Sequence, residues 1–149
     1  MRKIVVATDF SAASRPALAT ALDLARRDGA RLVVLHVMVP PSPFAGDDLP
    51  ASWLELEARA QREAERRLAA AVSRAERSGI ATTGTLVKGV PADVIVRVAR
   101  REGADVIVIG THGRSGLGRL FMGSVAARVL ATATCPVVTV RGGGRGGTK

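Results

Sequence analysis

Five short runs of branched apolar residues alternate with stretches whose apolar residues recur at helical spacing, and that alternation leaves few folds open. Lys3 to Ala7, Arg31 to Val39, Ala81 to Val87, Asp105 to Ile109 and Pro136 to Val140 have the length and composition of strands. After the first, Ala17, Leu18, Ala21, Leu22, Leu24 and Ala25 share one helix face; Ser14 is placed to cap that helix, Pro16 suits its first turn and Gly29 its end. Ser52 and Glu55 have capping-box spacing at the head of a second helix reaching Ser78, and Gly79 ends it. Gly89-Val90-Pro91 turns the chain into a third helix that runs through Glu102 and is closed by Gly103. A short fourth helix starts at Ser124. The strand from Arg31 is almost unbroken Leu and Val, as in parallel sheets covered on both faces. The strand from Ala81 carries two Thr and a Gly and reads as an edge. Strict alternation of this kind predicts an α/β fold, a doubly wound five-stranded parallel sheet with short joins.

At 149 residues the chain is sized for one domain, here residues 1–141, followed by a Gly/Arg tail, 142–149, expected to be disordered. Pro40 to Pro50 has no periodicity and reads as a surface loop. Every apolar run is broken too early to span a membrane, and the run after Met1-Arg2-Lys3 is too short for a signal-peptide core, so the expected location is the cytoplasm. Cys135 is the only cysteine, and His36 and His112 lie far apart, which leaves no ligand set for a transition metal. The net charge of +9 attracts polyanions, although part of the excess lies in the tail and much of the rest fits solvated helix faces.

Open parallel sheets bind ligands beyond the carboxyl ends of their strands, where strand order reverses. Two such ends carry chemistry. Asp9 supplies a carboxylate after the first strand. Gly110 opens a glycine-rich segment that runs to Gly123 and enters the fourth helix at Ser124-Val125-Ala126. Glycines let successive backbone amides converge on an anion, and a helix N-terminus adds unpaired N–H groups and positive dipole. Ser124 suits either a helix cap or a phosphate contact, and Arg114 and Arg119 add charge nearby. Neither a Walker A sequence nor a GxGxxG after the first strand occurs, so the nucleotide class must be another one.

The spacing Gly110-x2-Gly113-x9-Gly123-Ser124 resembles the ATP-binding signature of the universal stress protein family. Ile4 to Ser11 resembles that family's first strand and turn, Leu35-His36-Val37 its second strand, Gly89-Val90-Pro91 its third-strand turn, and Cys135 to Val140 its last strand. The resemblance implies a Rossmann-like sheet of order 3-2-1-4-5, of the adenine nucleotide alpha hydrolase type, and ATP, ADP or AMP as ligand, with or without magnesium. By the same resemblance Ala7, Thr8 and Asp9 would border the adenosine. Asp9 would accept from the ribose or face a phosphate-bound metal. Val37 would meet the adenine edge through its backbone, and Gly110 and Thr111 would pass beside the ribose. Gly113, Gly123, Ser124, Val125 and Ala126 would hold the phosphates, with Arg114 close by. It also implies a homodimer through antiparallel pairing of strand 136–140 and a nucleotide-dependent regulatory role in stress.

Two other functions fit less well. A slow ATPase or self-phosphorylating enzyme would need a general base beside the γ-phosphate, and the sequence offers no obvious one, with no residue assigned as catalytic. Weak nucleic-acid binding through the tail would lack stacking platforms, since only 3% of residues are aromatic. His36 reads as a packed core histidine, His112 as either a ligand contact or a loop-shaping residue, Cys135 as a buried small hydrophobe, and Trp53 as a packed helix-start residue.

Overall fold

The computed structural model describes residues 1–40, 49–112 and 122–142. In chain order it contains β1 (Lys3–Ala7), α1 (Arg15–Asp28), β2 (Arg31–Met38), α2 (Ala51–Arg77), β3 (Thr82–Lys88), α3 (Pro91–Glu102), β4 (Val106–Gly110), α4 (Ser124–Thr132) and β5 (Val137–Val140). The strands form one sheet of order β3-β2-β1-β4-β5, and every pairing is parallel. The first three strands are laid down in one direction from β1. The chain then returns to the other side of β1 to place β4 and β5, so order reverses between β1 and β4.

The two-residue strand repeat explains how one sheet supplies two cores. Ile4, Val6, Leu32, Val34, Val106 and Val108 point to one face and pack under α1 and α2, against Ala17, Ala21, Ala25, Leu68 and Ala75. Val5, Ala7, Val33, Leu35, Ile107 and Ile109 point to the other, against α3 and α4 through Val94, Ile95, Val98, Ala126 and Val129. Small residues on the inner side of α1 let it lie close on β1. The central strands therefore have no polar side until their carboxyl ends, which is why their sequences read as unbroken apolar runs.

Boundaries moved by a residue where side chains intervene. Asp105, expected as the first residue of a strand, instead accepts from the Arg2 and Lys3 amides at 2.6 and 2.8 Å, and β4 begins at Val106. Those two bonds hold its carboxyl below the usual carboxylate range. Gly29 and Gly103 close their helices in the left-handed region, at φ 63° and 62°.

Three local expectations fail. Ser14 makes no capping bond to α1; its hydroxyl donates at 2.9 Å to the Ser11 carbonyl and accepts from the Thr8 hydroxyl across 3.0 Å. The pairing of Ser52 with Glu55 forms no capping box, because α2 starts two residues earlier than such a cap requires, at Ala51. Its N-cap is Pro50, whose carbonyl accepts from Trp53 N–H at 2.9 Å. Trp53 is not packed but 54% exposed, beside the exposed Leu54 and Leu56. It lies on the first turn of α2, whose buried residues, Ala64, Leu68 and Ala75, all come later in the helix.

Candidate functional site

The carboxyl ends of β1, β2 and β4 open into a cleft of about 710 Å³. Ten of the twelve residues singled out from sequence line it: Ala7, Thr8, Asp9, Val37, Gly110, Thr111, Gly123, Ser124, Val125 and Ala126. Gly113 and Arg114 lie outside the described residues, as do Arg119, most of the segment Pro40 to Pro50, and the tail beyond Gly142. Asp9 and Gly110 stand on neighbouring strands, since β1 pairs with β4.

The turn after β1 is built from its own side chains. Thr8 Oγ1 accepts from the Phe10 amide at 3.0 Å, and Asp9 Oδ1 accepts from the Ser11 amide at 2.9 Å. Two successive side-chain turns of this sort substitute for backbone pairing and tighten the chain. Phe10 then sits at φ 61°, in the left-handed region that a bulky residue rarely occupies. The buried His36 places Nδ1 2.8 Å from the Thr8 carbonyl. A carbonyl only accepts, so Nδ1 carries a proton and donates to it, which fixes the orientation of the ring. The rings of Phe10 and His36 lie 4.7 Å apart between centroids, tilted by 36°.

On the β4 side, the Thr111 amide donates to the Val140 carbonyl at 2.9 Å, which ties the end of β4 to β5. Thr111 Oγ1 and His112 Nδ1 share a hydrogen bond of 2.9 Å. The Gly123 amide donates at 2.6 Å to the Thr111 carbonyl. A Cβ on Gly123 would come within 3.0 Å of that same oxygen, so glycine here serves a close backbone approach. Gly123 is the N-cap of α4, which has neither a side-chain capping bond nor an acidic residue in its first turn. Ser124 is therefore the first helical residue and exposed, not a cap. The amides of Ser124, Val125 and Ala126 are the ones a helix leaves without internal acceptors, at the positive end of its dipole.

A third wall was not anticipated from sequence. Ala60, Glu63, Ala64 and Arg67 of α2 line the cleft, as do Phe10, Met38 and Ile95. The α2 residues follow the spacing i, i+3, i+4, i+7, and the two alanines between charged neighbours were the available signal. Glu63 accepts from Arg66 through Nε at 3.0 Å and Nη2 at 2.7 Å, and from Arg67 Nε at 2.8 Å. Arg66, then Arg67, pull its carboxyl down to about 2. Cys135 is only half-buried, and desolvation raises its thiol above the usual value. Among the described residues no three His, Cys, Asp or Glu come together as a metal site, and no helix is long and apolar enough to cross a membrane.

What the cleft offers is a strip of apolar floor, one carboxylate beside the strand crossover, and a helix N-terminus facing it. That combination suits an elongated ligand with an anionic end.

Comparison with known proteins agrees with this arrangement. The sequence pattern of the universal stress protein family matches residues 1–141. Universal stress protein MJ0531 of Methanocaldococcus jannaschii is 37% identical over 140 residues, which span 94% of this chain and 82% of that protein. The structure of a universal stress protein in complex with cAMP matches with a TM-score of 0.71 and 27% identity, covering 95% of this chain and 98% of that one. That of the Archaeoglobus fulgidus universal stress protein in complex with dAMP matches with a TM-score of 0.67 and 28% identity, covering the same 95% and 98%. Fold and sequence converge, and the chain belongs to the universal stress protein family.

Proposed function

We propose that this protein binds an adenine nucleotide, ATP before ADP or AMP, in the cleft above β1 and β4, and that occupancy serves a regulatory role in stress. The observation that carries the reading is the uncapped N-terminus of α4 facing Asp9 across one cleft. Solved relatives that hold cAMP and dAMP support it. In this reading the α4 amides take the phosphates, Asp9 accepts from the ribose or faces a magnesium carried in on the phosphates, and the base lies toward β2 near Val37. The residues present fit such a ligand: the α4 amides supply donors for an anion, and the apolar floor suits a base. Magnesium would add charge neutralisation between phosphate oxygens.

We assign binding rather than efficient turnover, since no general base is evident for a γ-phosphate reaction. We place the protein in the cytoplasm. We also assign a homodimer through β5, whose outer edge is free among the described residues. The carbonyls of Pro136 and Val140 accept from β4 and its extension. In a parallel ladder, alternate residues bond to the same side, so Val137 and Thr139 turn their amides outward. Thr139→Pro should remove one outward donor, leave the sheet intact and halve the mass measured by light scattering; an unchanged mass would count against pairing here.

Binding to the folded state alone raises stability by about 2.7 kcal/mol at a hundredfold excess over Kd. Melting curves with ATP, ADP and AMP, with and without magnesium, should therefore shift upward. No shift with any of them at millimolar concentration would remove the proposal.

A further inference from the structure

Phe10 is the feature of this cleft that nucleotide binding by backbone amides leaves unexplained. Its φ of 61° is a conformation glycine would adopt freely and phenylalanine resists. The Thr8 side chain and the Asp9 turn impose it. The result is an aromatic ring set on the cleft wall against His36, whose own orientation is fixed by the Thr8 carbonyl. Among the described lining residues, Phe10 carries the only phenyl, phenol or indole ring. Strain kept at a cleft, where glycine would relieve it, points to a use for the side chain.

The sheet places that ring relative to the anion end. α4 begins next to Thr111, beyond β4, while His36 belongs to β2, and β1 lies between them. Two strand spacings separate β4 from β2, about 10 Å, a span suited to a nucleoside monophosphate. A ligand with its phosphate at α4 and its sugar near Asp9 brings its base to Phe10. Resting on the nucleotide reading above, we propose that Phe10, backed by His36, is the specificity-determining platform on which the base stacks, so that the base contributes affinity through an aromatic face and not only through its polar edge.

Phe10 also packs partly against the core beneath α1 and α2, so the test must separate a platform from a wedge. Full-length wild type, Phe10→Leu and Phe10→Tyr are titrated calorimetrically with AMP and with ribose 5-phosphate, which has the same sugar and phosphate but no base. Phe10→Leu keeps apolar bulk and should bind AMP about fivefold more weakly, the low end of base–aromatic stacking, with ribose 5-phosphate affinity unchanged. Phe10→Tyr keeps the ring face and should bind AMP within about twofold of wild type. In the wild-type complex, adenine H2 or H8 should move upfield in the proton spectrum from the ring current, a readout that needs no variant to fold. Equal loss for both ligands in Phe10→Leu, no loss for either, or no upfield shift in wild type would each overturn the platform. Wild type binding neither ligand would instead overturn the nucleotide reading itself, and the platform with it.

Discussion

Replacing Ser124 with aspartate should strengthen the fold and weaken nucleotide binding together. Ser124 is the exposed first residue of α4, and the first turn of that helix has no acidic side chain. A carboxylate there meets the positive end of the helix dipole, an interaction of about 0.3–1 kcal/mol at an exposed position. One kcal/mol moves the melting temperature of a chain this long by about 2–4 °C, so the unliganded variant should melt roughly 1–4 °C higher. The same carboxylate would stand beside a bound phosphate. Two like charges about 5 Å apart repel by about 3 kcal/mol at an effective dielectric of 20 and by about 0.8 kcal/mol in bulk water. A cleft open to solvent lies between those limits, so AMP affinity should fall by about tenfold, or ~1.4 kcal/mol, and by no less than about fourfold. Adenosine, which has no phosphate, should bind variant and wild type alike, and Ser124→Asn should leave both ligands unaffected. Calorimetric titration with both ligands, beside a melt of the free protein, decides the matter. Unchanged AMP affinity in Ser124→Asp would mean the phosphate does not lie at α4, and equal losses for AMP and adenosine would mean the substitution distorts the cleft.

Gly84 of β3 faces α2, and a Cβ there would approach Leu68 Cγ at 2.9 Å and Val72 Cγ2 at 3.0 Å. Overpacking of about 1–3 kcal/mol exceeds the ~0.4–1 kcal/mol gained by restricting the unfolded chain, so Gly84→Ala should lower stability in urea titration; a more stable variant would refute the ordering of those effects. For Glu63, arginine contacts depress the folded-state value to about 2, below the ordinary carboxylate value. Its contribution is therefore complete above the unfolded value and disappears as pH falls through the folded one. Glu63→Gln should melt slightly below wild type at neutral pH, by a margin that shrinks in high salt and closes on acidification from about 4.5 toward 2. Melting curves across that range test it, and a margin that widens in acid would contradict the sign.

The sheet was legible because its determinants are local and strong. The Leu and Val run of β2 and the Thr and Gly of β3 reveal their central and edge positions before any contact is known. Asp9 and Gly110 follow from topology alone, since a reversal of strand order between β1 and β4 brings them together whatever the loops do. Capping was read poorly for a physical reason. Ser14 and Ser52 have the chemistry of caps, but a hydroxyl chooses among partners that the fold brings to it: Thr8 in one case, and in the other a helix start already set by Pro50. Arg67 and Glu63 were missed as cleft residues because a charge run on a long helix usually faces solvent, and both do stay part-exposed while lining the cleft. His36 was read as a core residue, and it is buried; that it also borders the cleft depends on the turn of Thr8 and Phe10 above it.

The short bond between the Gly123 amide and the Thr111 carbonyl has a consequence for how this protein can vary. It pins the end of one strand to the start of the next helix, independent of whatever chain joins them. Each doubling of a connecting segment adds only about 0.6 kcal/mol of closure cost. A clasp of this kind lets the intervening stretch be lengthened, shortened or rewritten while the strand end and the helix start keep their positions. Selection can then alter the sequence of that stretch without having to rebuild the scaffold on either side of it.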